Sequence, residues 1–273
     1  MSKIVINNTE ITIRPSSVDS FLQCPYQWAK TFLEGIPSIP GNRAAIGTGI
    51  HRGAEVLWSD AIKTGKKDCN ITMITDAAVE SYEEEFKKGV QLDDDETKSG
   101  SIDEIAAGCR AFIDDIVAYT PIPVAVESRF TIDITDHPLV KAVSGTVDYL
   151  GSDNISDLKT SKRKPVPANY TTQQSIYKML AVANGHNVQY NTIQGVILKK
   201  APEGLVMPIE TDVDQAKSLL NVMLDTLEVA AKDIVPLEVL FRGNPKYYLC
   251  SNKYCSLYNT CPFVKGELPH AAL

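Results

Sequence analysis

Gly145-Thr146-Val147-Asp148-Tyr149-Leu150, then Gly151-Ser152-Asp153-Asn154, then Ile155-Ser156-Asp157-Leu158-Lys159 reads as strand, turn, strand. β-Branched and aromatic residues stand on either side of a run of turn formers. With four residues in the loop, Leu150 pairs with Ile155, and the same register sets Asp148 opposite Asp157. Facing residues have Cβ atoms roughly 4.5–5.5 Å apart, and like charges so placed repel. A divalent cation turns that repulsion into attraction. Asp157 and Lys159 are two apart on a strand and share a face, while Leu158 points into the opposite layer. Hard oxygen donors suit Mg²⁺ or Mn²⁺, which bind a phosphate oxygen and lower the pKa of a bound water. Lys159 then orients or deprotonates that water. For D-x-K alone an ordinary surface hairpin is the better reading; the facing Asp148 shifts the balance.

Around this hairpin the chain changes character. Before it, a strand or hairpin at the N-terminus is followed by a helix over about 16–33, capped by Ser16 with Asp19 and kinked at Pro25. Helical patterns recur at about 45–65, 71–90 and 101–119. The acidic run Asp93-Asp94-Asp95-Glu96 reads as a solvated loop. From Val124 the segments VAVESRFTIDI, KAVSGTVDYL and NISDLKT form three consecutive strands. A helix at about 169–184, strands in NTIQGVILKK and LVMPIE, and a long helix at about 211–233 follow. The fold class is therefore α/β (α+β): a mixed central sheet flanked by helices. One domain is expected, with a helical elaboration over about 14–120, a core over about 121–235 and a cysteine-rich tail from about 236.

The 273 residues, 44% of them hydrophobic, suffice for a sizeable core. No run approaches the ~18 apolar residues of a membrane span, and the opening segment lacks the pattern of a signal peptide, so a soluble cytoplasmic protein is expected. The net charge of −7 argues against a basic coat for nucleic acid, so DNA binding must rest on a local groove.

Two further motifs stand in order about the hairpin. Gln173-Gln174-Ser175-Ile176-Tyr177 puts Gln173 and Tyr177 on one helix face as i,i+4 neighbours. Upstream, Gly47-Thr48-Gly49-Ile50-His51 has small residues that permit close backbone approach; His51 with Glu55 alone could be a simple helix pair. In this company the chain resembles the RecB-like branch of the PD-(D/E)xK nuclease superfamily over most of its length. GTVD and SDLK look like its two acidic motifs, Gln173 to Tyr177 like its QxxxY motif, and Gly47 to His51 like its G-x-x-x-H segment. The resemblance implies a restriction-endonuclease-like core. It also implies metal positions at His51, Asp148, Asp157 and Leu158, Lys159 as the catalytic lysine, and Gln173 and Tyr177 as lysine support and DNA contact. Glu127 matches a less specific acidic position and could equally be a surface charge.

Cys250, Cys255 and Cys261 are spaced C-x4-C-x5-C, and Cys24 lies far upstream. Four thiolates can hold zinc or a [4Fe-4S] cluster, and spacing alone leaves both open; a disulfide is disfavoured in a reducing compartment. The resemblance favours [4Fe-4S], since iron–sulfur members of the AddB and CRISPR-adaptation type place one cysteine before the histidine motif and three beyond the QxxxY helix. Their commonest tail spacing is C-x2-C-x5-C, from which this chain departs. Cys69 and Cys109 read as buried free thiols.

Lys162, Arg163 and Lys164 follow the lysine motif and could attract phosphate, or be a solvated loop. The expected activity is a Mg²⁺- or Mn²⁺-dependent DNA exonuclease acting on single- or double-stranded ends in recombination, repair or phage replication. A recombination or single-strand-annealing protein is a possible partner. The alternatives are a single-strand-specific endonuclease and a non-catalytic DNA-binding or scaffold subunit that keeps the fold.

Overall fold

A computed structural model of the chain describes residues 4–37, 40–68 and 70–266. Along them run β1 (Ile11–Ile13), α1 (Pro15–Gln23), α2 (Pro25–Phe32), α3 (Asn42–Thr64), α4 (Ile71–Lys88) and α5 (Lys98–Ala111), the last continuing into a π-helical turn, Phe112–Val117. Then come β2 (Ala125–Asp133), β3 (Val140–Leu150), β4 (Asn154–Ser161), α6 (Thr171–Ala183), β5 (Tyr190–Ile197), β6 (Glu203–Ile209), α7 (Val213–Ala231) and the short α8 (Leu237–Leu240). The fold is mixed α/β, with a mixed sheet flanked by helices. Among the described residues no helix is long and apolar enough to cross a membrane.

Two compact units share the chain. The first comprises residues 1–38, 131–145 and 212–273, the second residues 39–130 and 146–211.

In the first unit β1 runs parallel to the first half of β3, with Thr12 beside Ala142 and Ile13 beside Val143, so the segment is a single strand and not a hairpin. The expected helix over 16–33 is two helices. Pro25 cannot supply the amide that would carry α1 onward, and α2 restarts there after a break at Cys24. The helix also begins one residue before the expected Ser16 cap, with Pro15 in its first turn and the Ser17 hydroxyl donating to the Arg14 carbonyl. Trp28 stacks on Phe241 at 6.3 Å and meets Phe21 edge-on at 5.6 Å, and Tyr26 meets Phe263 at 5.2 Å. These buried rings join the first two helices to the last segment of the chain.

In the second unit β4 lies between β3 and β5. It pairs parallel with β5 over eight residues, from Asn154 beside Tyr190 to Ser161 beside Ile197, and β5 pairs antiparallel with β6. Ile155, Ser156, Asp157 and Leu158 are buried in succession, as expected of a strand covered on both faces. On one face Leu158, Val196 and Leu198 pack into the core made by Ile46, Ile50 and Trp58 of α3, Tyr82 of α4 and Ile105 of α5. On the other, Asn191 of β5 donates to the Gln174 carbonyl oxygen at 2.9 Å and to its side-chain oxygen at 3.0 Å, fixing α6.

The glycines of α3 let it sit close. A Cβ on Gly49 would come within 2.6 Å of the Ala78 carbonyl oxygen, and one on Gly47 within 2.8 Å of Thr160 Oγ1. Close backbone approach in this segment thus holds α3 against both α4 and β4.

Candidate active site

The β3–β4 hairpin has the expected register, Leu150 beside Ile155 and Tyr149 beside Ser156. The loop is tighter than four residues: Gly151 donates its amide to the Asn154 carbonyl at 2.8 Å, leaving Ser152 and Asp153 at the tip. One step beyond Tyr149 and Ser156, where Asp148 would face Asp157, the arrangement departs from a simple carboxylate pair. Asp148 Oδ2 accepts the Leu158 amide at 2.6 Å. The side chain of β3 thereby bonds the backbone of β4.

Strand alternation explains what each carboxylate meets. Asp157 lies beside Ile193, which shares the face of Asn191 and therefore of α6; Leu158 and Thr160 point to α3. His51 comes from α3, and its Nδ1 lies 3.4 Å from Asp148 Oδ1. Lys159 Nζ lies 2.6 Å from Asp157 Oδ2. The Lys159 ammonium is the partner of the buried Asp157 Oδ2. Each carboxylate thus has its own positive neighbour. Among the described residues no three His, Cys, Asp or Glu side chains converge as a metal-holding group.

His51, Asp148, Leu158 and Lys159 line one open cleft together with Glu55, Glu127 and Arg43. Gln173 and Tyr177 are buried on α6, with a hydrogen bond between their side chains. Lys159 also stands over the Tyr170 ring, 5.6 Å from its centroid. Lys162, Arg163 and Lys164 are exposed just after β4.

The electrostatics follow from burial and these pairings. Burial works against the charged imidazole, yet Asp148 outweighs it and holds His51 above its ordinary value. Burial likewise opposes ionised Asp148, but His51 and the Leu158 amide keep it below the usual carboxylate range. Asp157, more deeply buried, is pushed up to about 6 despite Lys159, with Asp148 adding to the rise. For Lys159 burial disfavours the ammonium and Asp157 more than restores it. Two carboxylates on adjacent strands therefore differ: burial and Asp148 raise Asp157, whereas His51 and the Leu158 amide hold Asp148 below the usual range.

Three neighbours carry weaker sequence signals. Glu127 has a left-handed backbone, φ 47°, a strained state for a non-glycine residue. Part of it reaches solvent, yet burial pushes its carboxyl up to about 7, with Asp148 adding to the effect. Its acidic character was visible in the sequence; its place in the cleft was not. Gln194, beside Leu158 in the sheet, lines a smaller recess with His51, Glu127 and Asp148, and its side-chain nitrogen is buried without a partner. Arg43, from the first turn of α3, pairs with Glu104 at 2.5 Å and Glu96 at 2.8 Å. The Glu96 pairing corrects the reading of 93–96 as simple solvated loop, since the Asp93 amide also donates to the Glu96 carboxylate.

The PD-(D/E)XK nuclease superfamily model matches residues 12–262. The chain belongs to that superfamily. Among solved structures, a candidate exonuclease from Eubacterium rectale superposes with a TM-score of 0.53 at 10% identity, covering 81% of this chain and 82% of its own. The structure of SSO0001 covers 91% of this chain and 93% of its own, with a TM-score of 0.37 and 13% identity. None of the curated proteins compared matches the chain.

In this PD-(D/E)XK protein four cysteines line one pocket within the first unit: Cys24, at the break between α1 and α2, and Cys250, Cys255 and Cys261. All four are free thiols, as is Cys109. Burial raises the Cys250 and Cys255 thiols, and the neighbouring cysteines add to it. Tyr247 closes the group by donating its hydroxyl to Gln23 Oε1 at 2.6 Å, and Asn244 donates to the Gln23 carbonyl at 3.0 Å. The buried Cys109 thiol is pushed up to about 12 by desolvation. Cys69 lies outside the described residues.

Proposed function

We propose that this chain is a divalent-metal-dependent DNA exonuclease of the RecB-like branch. The observation that carries the reading is the meeting of His51, Asp148 and Lys159 in one cleft, with Asp157 paired to Lys159 behind it, in a member of a nuclease superfamily. The donor types suit a hard divalent cation: two carboxylates, an imidazole and the Leu158 backbone beside them. A cation held by His51, Asp148 and Asp157 would act as a Lewis acid on a phosphate oxygen and lower the pKa of a bound water.

The chain's own residues supply the rest. As an ammonium, Lys159 donates to water or to a phosphate oxygen and opposes the charge that builds on the phosphoryl group. Its partner Asp157 and the Tyr170 ring restrict its motion, so its charge is pre-oriented. The Leu158 amide fixes the Asp148 carboxylate, and the Gln173–Tyr177 pair stiffens the α6 surface behind Asp157. The exonuclease mode and DNA as substrate follow from the RecB-like resemblance.

We read the four thiols, which line one pocket, as [4Fe-4S] ligands, with zinc as the alternative. The centre's role is structural, because hydrolysis transfers no electron. It would tie the break after α1 to the last segment of the chain.

The test is a time course on end-labelled linear and closed-circular DNA with Mg²⁺ and with Mn²⁺. An exonuclease shortens the linear DNA from its ends and spares the circle; cleavage of the circle identifies an endonuclease, and no cleavage of either rejects the nuclease reading.

A further inference from the structure

A second groove lies alongside the reaction cleft in the same unit, and Arg43 lines both. Parallel pairing creates its basic wall. β4 and β5 run in the same direction and end together, with Ser161 beside Ile197, and the Leu198 amide donates to the Ser161 carbonyl at 2.7 Å. The residues that leave the two strands therefore emerge side by side. After β4 these include Lys162, held in a turn by a bond from the Ser161 hydroxyl to the Arg163 carbonyl; after β5 they are Lys199 and Lys200. In open α/β sheets, ligands gather at the carboxyl ends of parallel strands.

The charges favour an anion. The groove is lined by Arg43, Lys162, Lys199 and Lys200 against two carboxylates, Asp95 and Glu104, and Glu104 is engaged by Arg43. Lys199 pairs with Glu203 at the exposed surface, at 2.6 Å. Among the described residues Lys162 and Lys200 form no ion pair. A chain with net charge −7 thus places Lys162 and Lys200 in a groove that shares Arg43 with the reaction cleft.

We propose that this groove holds the phosphate backbone of one DNA strand as it runs to or from the reaction cleft, anchored by Lys162, Lys199 and Lys200. The proposal rests on the nuclease reading for the identity of the polyanion. Contacts of this kind position a strand without reading its sequence.

The test is fluorescence anisotropy of a labelled single-stranded 30-nucleotide DNA, titrated with full-length protein in EDTA at several salt concentrations. A Lys162→Ala/Lys200→Ala variant is expected to bind about tenfold more weakly and to lose about 1.4 from the slope of log affinity against log salt, about 0.7 for each phosphate contact on a single strand. A Lys63→Ala/Lys66→Ala control removes two exposed lysines at the far end of α3, roughly 30 Å from Arg43 at 1.5 Å per residue, and should keep the wild-type slope. Wild-type slope and affinity in the groove variant, equal losses in the control, or no binding by the wild type would overturn the proposal. Hydrolysis of bis(p-nitrophenyl) phosphate by the wild type with Mn²⁺ reads the cleft separately. A wild type that binds through the groove but hydrolyses neither this ester nor DNA defeats the nuclease reading and leaves the groove standing.

Discussion

The Leu158 amide donates to Asp148 Oδ2 at 2.6 Å, so a β3 side chain bonds the β4 backbone one residue past Asp157. This bond orients the other Asp148 oxygen towards His51, 3.4 Å away, and makes the position of the carboxylate a property of the hairpin. Groups that orient a metal ligand typically change metal affinity or activity 10–100-fold when removed.

His51 should therefore set the metal requirement. In His51→Ala the Mn²⁺ concentration for half-maximal cleavage is expected to rise by about 10–100-fold, with DNA affinity in EDTA unchanged. Metal titration of the initial rate checks it. An unchanged midpoint would remove His51 from the metal site.

The two close-packed glycines of α3 should respond differently. In Gly49→Ala the new methyl meets backbone, the Ala78 carbonyl oxygen, which cannot turn aside, and a loss of roughly 1–3 kcal/mol is expected from urea unfolding. In Gly47→Ala it meets the Thr160 hydroxyl, which can rotate. That variant should lose less stability and more activity, because the strain falls between α3 and the strand carrying Lys159.

Buried acids that stay protonated make the fold labile to alkali. Desolvation pushes the Cys109 thiol up to about 12 from an ordinary 9.0, and the Tyr149 hydroxyl up to about 12 from 10.0. Above the ordinary value the unfolded chain has released the proton and the native state still holds it, so stability falls as pH rises. Each group removes roughly 1.4 kcal/mol per pH unit within its window. Urea midpoints should fall between about pH 9 and pH 11, and Cys109→Ala should shrink that fall. Equal falls with and without the thiol would refute this origin.

Much of this was legible in the sequence, and the exceptions have physical causes. Strand alternation and turn chemistry fixed the β3–β4 register because one slipped residue would expose Leu158 and bury Lys159 in the α3 core. The break at Cys24 was readable as a kink at Pro25, but not as two helices, since the aromatic packing of Trp28 and Phe241 depends on residues more than 200 positions apart. Glu127 was legible in the sequence only as a match to a less specific acidic position, open equally to reading as a surface charge. Only the fold places it in the cleft with Asp148. The basic groove was hidden for the same reason: Lys162 is near the D-x-K motif, whereas Lys199 and Lys200 reach it through parallel pairing, which leaves no local signature.

The proposed cysteine centre is open to direct observation. Protein purified anaerobically should contain about four iron and four acid-labile sulfide per chain, as a [4Fe-4S] cluster requires. Cys24→Ala should lose both and unfold at a lower temperature. Zinc without sulfide would replace the cluster with a zinc site and leave the nuclease account intact.

The most direct test of the central claim is cleavage of end-labelled DNA by wild type and Asp157→Asn in Mg²⁺, with DNA binding measured in parallel. Asparagine keeps the shape of the buried side chain and removes its charge. The account predicts at least a 10²–10³-fold loss of cleavage, the range typical for removal of one transition-state-stabilising group, with DNA affinity retained within a fewfold. Cleavage at the wild-type rate by Asp157→Asn would contradict it.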